Sequence, residues 1–85
     1  ISKDYRKKFC NGIAFGLSKE SAMNFANKEN NMIFKNKKGF DKINKDSVSN
    51  SIAALVVENC GYLVDLKGNK GIIKFKKEYV TMNNY

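Results

Sequence analysis

Two cysteines, Cys10 and Cys60, lie about fifty residues apart in a chain of 85 residues. Each falls on the apolar side of a segment with helical periodicity, so both side chains are expected in the same core. A disulfide between them would close a loop of about fifty residues and stabilise a small domain by roughly 4 kcal/mol on the chain-entropy model. We predict this disulfide. The alternative is a pair of buried thiols, because free cysteine is often found in cores.

The length of the chain predicts one domain, residues 1–85, with a small core. The longest apolar run, Ile52 to Val57, is far below the roughly 18 residues that a membrane-spanning helix needs. The chain begins at Ile1, and the two cysteines favour a signal peptide cleaved upstream over a trimmed start. We therefore predict an extracytoplasmic location (periplasm, lumen or secreted), with the cytoplasm as the alternative.

The N-terminal segment has the repeat of an amphipathic helix. Tyr5, Phe9 and Ile13 recur every four residues and form an apolar stripe. The predicted helix begins at Ser2 and ends before Gly16, a residue type common just after helix ends.

Two further helices follow. One is predicted to begin just after Ser18, and a loop rich in Lys and Asn is predicted over residues 35–45. The third helix is predicted to begin at Asp46 or Ser47 and to end at Gly61. Its apolar residues follow the helical period at Val48, Ile52, Leu55, Val56 and Cys60.

After Gly61 the apolar period changes to two. Tyr62, Val64 and Leu66 alternate with other residues, and Gly68-Asn69 is suited to a two-residue turn. This pattern predicts a β-hairpin that packs its apolar face on the helices. The competing interpretation extends the third helix through Gly61 to Leu66.

These elements predict an α+β fold class, namely a small three-helix domain with a C-terminal β-hairpin. An all-α fold is the alternative. Residues 76–85 follow no strong pattern and are predicted to form a loosely packed tail.

Catalytic chemistry has little support in the composition. The chain has no histidine, which removes the imidazole base and histidine-activated nucleophiles. Two cysteines without histidine do not make a standard structural zinc site, and Cys-x-x-Cys is absent. We predict a non-enzymatic protein with no catalytic residue, no metal and no cofactor.

The net charge of +8 favours an acidic partner. A second explanation is the base composition of the gene, because fifteen of the sixteen basic residues are lysine and twelve residues are asparagine, both with AT-rich codons. We predict a small interaction module or accessory subunit of a larger assembly that meets an acidic protein or an anionic membrane surface. The candidate contacts are Lys35, Lys37, Lys38 and Lys42 in the loop, and Lys74, Lys76 and Lys77 on the outer side of the hairpin.

The alternative function is nucleic-acid binding by a cytosolic module with reduced cysteines. Lysines interleaved with Phe75 and Tyr79 would supply charge, but the predicted hairpin places Phe75 towards the core, which removes it from stacking on bases. Against it, Arg6 is the only arginine, and arginine is the preferred side chain for phosphate and guanine.

Two N-terminal stretches carry a further pattern: the run from Tyr5 to Cys10, and the run from Gly16 to Ala22, which reads Gly-Leu-Ser-Lys-Glu-Ser-Ala. Together they resemble small exported proteins of marine cyanobacteria, which have a signal peptide, a helix with an early cysteine and a similar corner. The resemblance implies an exported protein with a disulfide. It supplies no activity and no functional residue.

Overall fold

The computed structural model describes residues 2–34 and 44–85. These residues form four α-helices, and a single 3₁₀ turn follows the third helix directly. Helix α1 packs on both α2 and α3, and α3 packs on α4. The bounds are Ser2–Ala14 for α1, Lys19–Phe34 for α2, Lys45–Cys60 for α3, Gly61–Leu63 for the 3₁₀ turn and Gly68–Asn83 for α4.

The described part of the chain contains no β-strand, so the predicted α+β fold class is wrong and the fold is all-α. The residues assigned to the hairpin form the 3₁₀ turn, an irregular link and the first half of α4. Alternation from Tyr62 to Leu66 is a short signal, whereas Phe75 and Tyr79 belong to a helical repeat of apolar residues. Both aromatic side chains are buried on the inner face of α4.

The segment 76–85, for which the sequence predicts a loose tail, contains the second half of α4. Tyr79 is buried there. The helix ends where Asn84 adopts a left-handed conformation with φ of 57°, which asparagine tolerates better than most residues.

Side-chain caps fix the starts of α2 and α3. Oγ of Ser18 accepts a hydrogen bond of 3.1 Å from the backbone N–H of Ser21, as expected for the predicted start of α2. Oδ1 of Asn44 accepts one of 3.1 Å from the N–H of Ser47. Helix α3 therefore begins one residue before Asp46, because Asn44 supplies the cap.

Four aromatic side chains form the centre of the core. Tyr5 and Phe9 of α1 meet Phe75 and Tyr79 of α4, and all four are at most 2 % exposed. The ring centroids are 5.2 Å apart for Phe9 and Phe75 and 5.3 Å apart for Tyr5 and Tyr79, in edge-to-face geometry. Aromatic pairs favour this arrangement because the positive ring edge meets the negative ring face. The first and last helices thus share one core.

A disulfide joins α1 to α3. It links Cys10 to Cys60, the predicted pair, with Cα atoms 5.8 Å apart. Cys60 is the last residue of α3 and is buried beside the core. Because the linked residues are 50 positions apart, the bond restricts much of the unfolded chain.

Helix α3 ends at Gly61, where the chain folds back too closely to leave room for a side chain. The glycine's φ of −57° is one that any residue adopts. Its carbonyl accepts hydrogen bonds from the N–H groups of Val64 and Leu66, at 3.0 and 2.8 Å, and so folds the link back over the glycine. A Cβ at Gly61 would overlap the carbonyl oxygen of Leu66.

The hydroxyl of Tyr5 is buried and has no hydrogen-bond partner among the described residues. Burial, and then the neighbouring Tyr79, raise the pKa of Tyr5 well above its ordinary 10.0. The folded protein therefore favours the neutral phenol. Ionisation of this group therefore leaves stability unaffected below about pH 10 and lowers it as the pH rises further, because the unfolded chain releases the proton first.

Removing the disulfide is expected to lower the free energy of unfolding by about 4 kcal/mol, because the unfolded chain regains loop entropy. The measurement is urea unfolding followed by circular dichroism, with and without reductant. The double variant Cys10→Ala/Cys60→Ala serves as control, since its transition must not respond to reductant. An unchanged wild-type transition on reduction would contradict the prediction.

Gly61→Ala is expected to destabilise the protein by roughly 1–3 kcal/mol, because the new methyl group displaces the Leu66 carbonyl. Thermal unfolding measures the effect. Ser51→Ala, at an exposed position of α3, is the control and should leave the midpoint within error. Equal midpoints for the two variants would show that the link accommodates a side chain.

Tyr5→Phe is expected to stabilise the protein by about 1 kcal/mol at neutral pH, because it removes a buried hydroxyl without a partner among the described residues. Above pH 10 the gain over the wild type should grow, since the variant has no phenol to ionise at this position. Tyr62→Phe, with an exposed ring, is the control and should show neither effect. A destabilised Tyr5→Phe variant would mean that the hydroxyl does have a partner.

Candidate functional site

The predicted contact lysines separate into three groups. Residues Lys35, Lys37, Lys38 and Lys42 lie outside the described residues. Lys74 and Lys77 are exposed on α4, on a helix face and not on a hairpin. Lys76 points towards α3, where its Nζ lies 2.7 Å from Oδ1 of Asp46 in an ion pair. Its charge is therefore compensated within the protein.

The outer side of α4 carries a row of lysines. We call this row the α4 ridge and define it by Lys67, Lys70, Lys74 and Lys77, all exposed. Their spacing of three, four and three residues places them on one side of a helix. The opposite side of α4 holds the buried aromatic residues. Between the lysines lies Ile73, which is 67 % exposed.

Lys67 and Lys70 were missed by the sequence reasoning. Assigning Gly68-Asn69 to a hairpin turn placed the two lysines beside a turn and hid their relation to Lys74 and Lys77. The signal was present in the sequence, because the four lysines follow a helical period.

Positive charge on the α4 ridge is largely uncompensated. The two ion pairs among residues 2–34 and 44–85 use other lysines, namely Lys76 with Asp46 and Lys19 with Glu78. One acidic residue, Asp65, borders the first part of the ridge, where it lines a shallow depression with three ridge lysines. The first turn of α4 contains no acidic residue.

A second surface feature lies between α1 and α2. We call it the α1–α2 groove; its volume is about 430 Å³. Three exposed apolar side chains line it: Phe15, Leu17 and Phe25. Gly12 also lines the groove, at the point where α1 approaches Ala22 of α2.

The other lining residues of the groove are polar. They come from the first three turns of α1 and comprise Asp4, Lys7, Lys8 and Asn11. The groove is therefore charged towards the start of α1 and apolar towards the corner between the two helices. The sequence reasoning did not identify this groove. The exposed Phe15 next to Gly16 was the available signal.

Metal-binding and membrane-spanning features are absent from the described residues. No group of three cysteine or acidic side chains is placed to hold a metal ion in this part of the chain. None of the described helices has the length and apolar content that crossing a membrane requires.

Comparison with known proteins gives no match: no family model, no curated protein and no solved structure matches this chain.

Proposed function

We propose that this protein is a non-enzymatic interaction module that binds an acidic protein surface through the α4 ridge. The observation that carries the proposal is the row of lysines on one exposed helix face, with no paired acid among residues 2–34 and 44–85. The row from Lys67 to Lys77 extends about 15 Å along the helix axis, given the rise of 1.5 Å per residue. This length suits a contact with another protein.

The positive charges of the α4 ridge destabilise the unbound protein. Lys70 and Lys74 are four residues apart, and Lys74 and Lys77 three apart, so each pair repels at helical neighbour distance, by roughly 0.2–0.5 kcal/mol. Lys67 and Lys70 also stand at the start of α4, where the helix dipole disfavours positive charge. Carboxylates on a partner would relieve both effects. An acidic surface is therefore the ligand that this face fits best.

Ile73 adds an apolar contact to the same face. It is exposed in the middle of the lysines, and protein interfaces commonly combine an apolar centre with a polar rim. Burying this side chain against a partner would add to the electrostatic attraction.

Two other classes of partner fit the ridge less well. An interfacial membrane helix buries its apolar face in the lipid, but the apolar face of α4 is occupied by the protein core. Nucleic acids are most often read by arginine, and the ridge contains only lysine. Both classes are included as arms of the test.

The proposed setting is outside the reducing cytoplasm. The Cys10–Cys60 disulfide supports this location, because such bonds persist in oxidising compartments. A role as an accessory subunit is consistent with the small core, since small domains often gain stability from partners.

Binding of a fluorescein-labelled oligoglutamate peptide, measured by anisotropy on the oxidised protein, tests the proposal. The variant Lys70→Gln/Lys74→Gln/Lys77→Gln is expected to bind about tenfold more weakly than the wild type, equivalent to about 1.4 kcal/mol. The matched control is Lys3→Gln/Lys28→Gln/Lys45→Gln, which removes three exposed lysines from other helices. It should bind within about twofold of the wild type.

Equal losses in the two triple variants would show that only net charge matters and would overturn the proposed surface. Stronger ridge-dependent binding to anionic phosphatidylglycerol vesicles, or to duplex DNA, than to the peptide would overturn the assignment to a protein partner.

A further inference from the structure

We infer that the α1–α2 groove binds a single-chain anionic amphiphile of the fatty-acid class. The groove uses none of the α4 ridge residues. The inference therefore stands apart from the proposed function.

Three of the eight large apolar side chains that are exposed among the described residues line this groove. Phe15 is 88 % exposed, and Leu17 and Phe25 are each 42 % exposed. Single exposed apolar residues are normal on protein surfaces. Three large ones around one concavity indicate a surface that gains from being covered by an apolar ligand.

The dimensions of the groove match one acyl chain. Its volume of about 430 Å³ falls in the range of ligand sites, which is roughly 300–1,000 Å³. Along α1 it extends from Asp4 to Phe15, a distance of about 16 Å at 1.5 Å per residue. An elongated ligand of small cross-section fits this shape.

The distribution of charge assigns an orientation to the ligand. Lys7 and Lys8 lie towards the start of α1, and their ammonium groups would donate hydrogen bonds to an anionic head group. Asp4 is the single acid at that end, so the lysines outnumber it. The lysine stems add apolar surface beside the tail, which would extend towards Phe15 and Leu17.

Gly12 lies in the groove where α1 and α2 approach each other closely. A Cβ at this position would lie 3.1 Å from Cδ1 of Leu17 and 3.3 Å from Cβ of Ala22. The absent side chain lets α1 and α2 approach closely and lets Leu17 lie across α1. Leu17 thereby becomes one wall of the groove.

The test is a titration of the ¹⁵N-labelled, oxidised protein with monomeric dodecanoate, followed by amide chemical shifts. Saturable binding with shifts around residues 4–17 and 25 is expected. Phe15→Ser/Phe25→Ser should weaken binding at least about tenfold, because the apolar walls are lost. Phe15 is almost fully exposed, so the fold should tolerate its change. Ile73→Ser removes an exposed apolar residue from α4 and should leave the affinity unchanged.

Substitution of Lys7 and Lys8 tests the proposed contact with the anionic head group. Lys7→Gln/Lys8→Gln is expected to weaken dodecanoate binding about fivefold or more, whereas Lys3→Gln/Lys28→Gln should have little effect. Dodecyltrimethylammonium, with the same tail and the opposite charge, should bind more weakly than dodecanoate. Equal binding of the two would overturn the anionic assignment.

Phosphatidylglycerol vesicles separate a free amphiphile from a lipid surface. Groove-dependent binding to vesicles without binding of monomeric dodecanoate would overturn the single-chain site in favour of a membrane contact. Absence of shifts with dodecanoate, or shifts confined to the α4 ridge, would overturn it as well. Unchanged dodecanoate binding by the ridge triple variant would show that the two surfaces are independent, so the failure of one proposal leaves the other standing.

Discussion

The edge-to-face packing of Tyr5 and Phe9 against Phe75 and Tyr79 is the contact on which the rest of the structure depends. It holds α1 against α4, so that the apolar face of each helix is buried in a shared core. Once these rings are buried, α4 has one fixed inner face. Its outer face is then fixed as well, and the lysines of the α4 ridge are exposed as a consequence of aromatic packing.

Charge in the described part of the protein is arranged in two ways. Lys19 and Lys76 pair with Glu78 and Asp46, and both pairs link residues far apart in the sequence. These pairs compensate charge where helices approach one another. The α4 ridge faces outward, and none of the ion pairs among the described residues uses its lysines. Lysine thus links helices through the two ion pairs and forms a charged surface on the α4 ridge.

The disulfide and the glycines determine how the helices are spaced. Cys10–Cys60 fixes α1 to the end of α3, and Gly61 lets the following link fold back immediately. Gly12 allows close contact of α1 with α2 and lines the groove between them. Two exposed surfaces with different chemistry lie on this helical frame. One is a cationic ridge, and the other is an apolar groove with a charged end.

The sequence by itself determined the first three helices and the cysteine pair. The cap at Ser18 and the apolar stripe of α1 are local signals, because each depends only on residues close together in the sequence. It also predicted Lys74 and Lys77 as contacts, which stays a prediction, and it did not group Lys67 and Lys70 with them. Only the tertiary structure decided that the segment after Gly61 is helical, because the choice between a short alternating pattern and a helical repeat depends on what Phe75 and Tyr79 pack against. That partner surface lies about seventy residues away on α1, and no local pattern carries the energy of burying one aromatic ring against another.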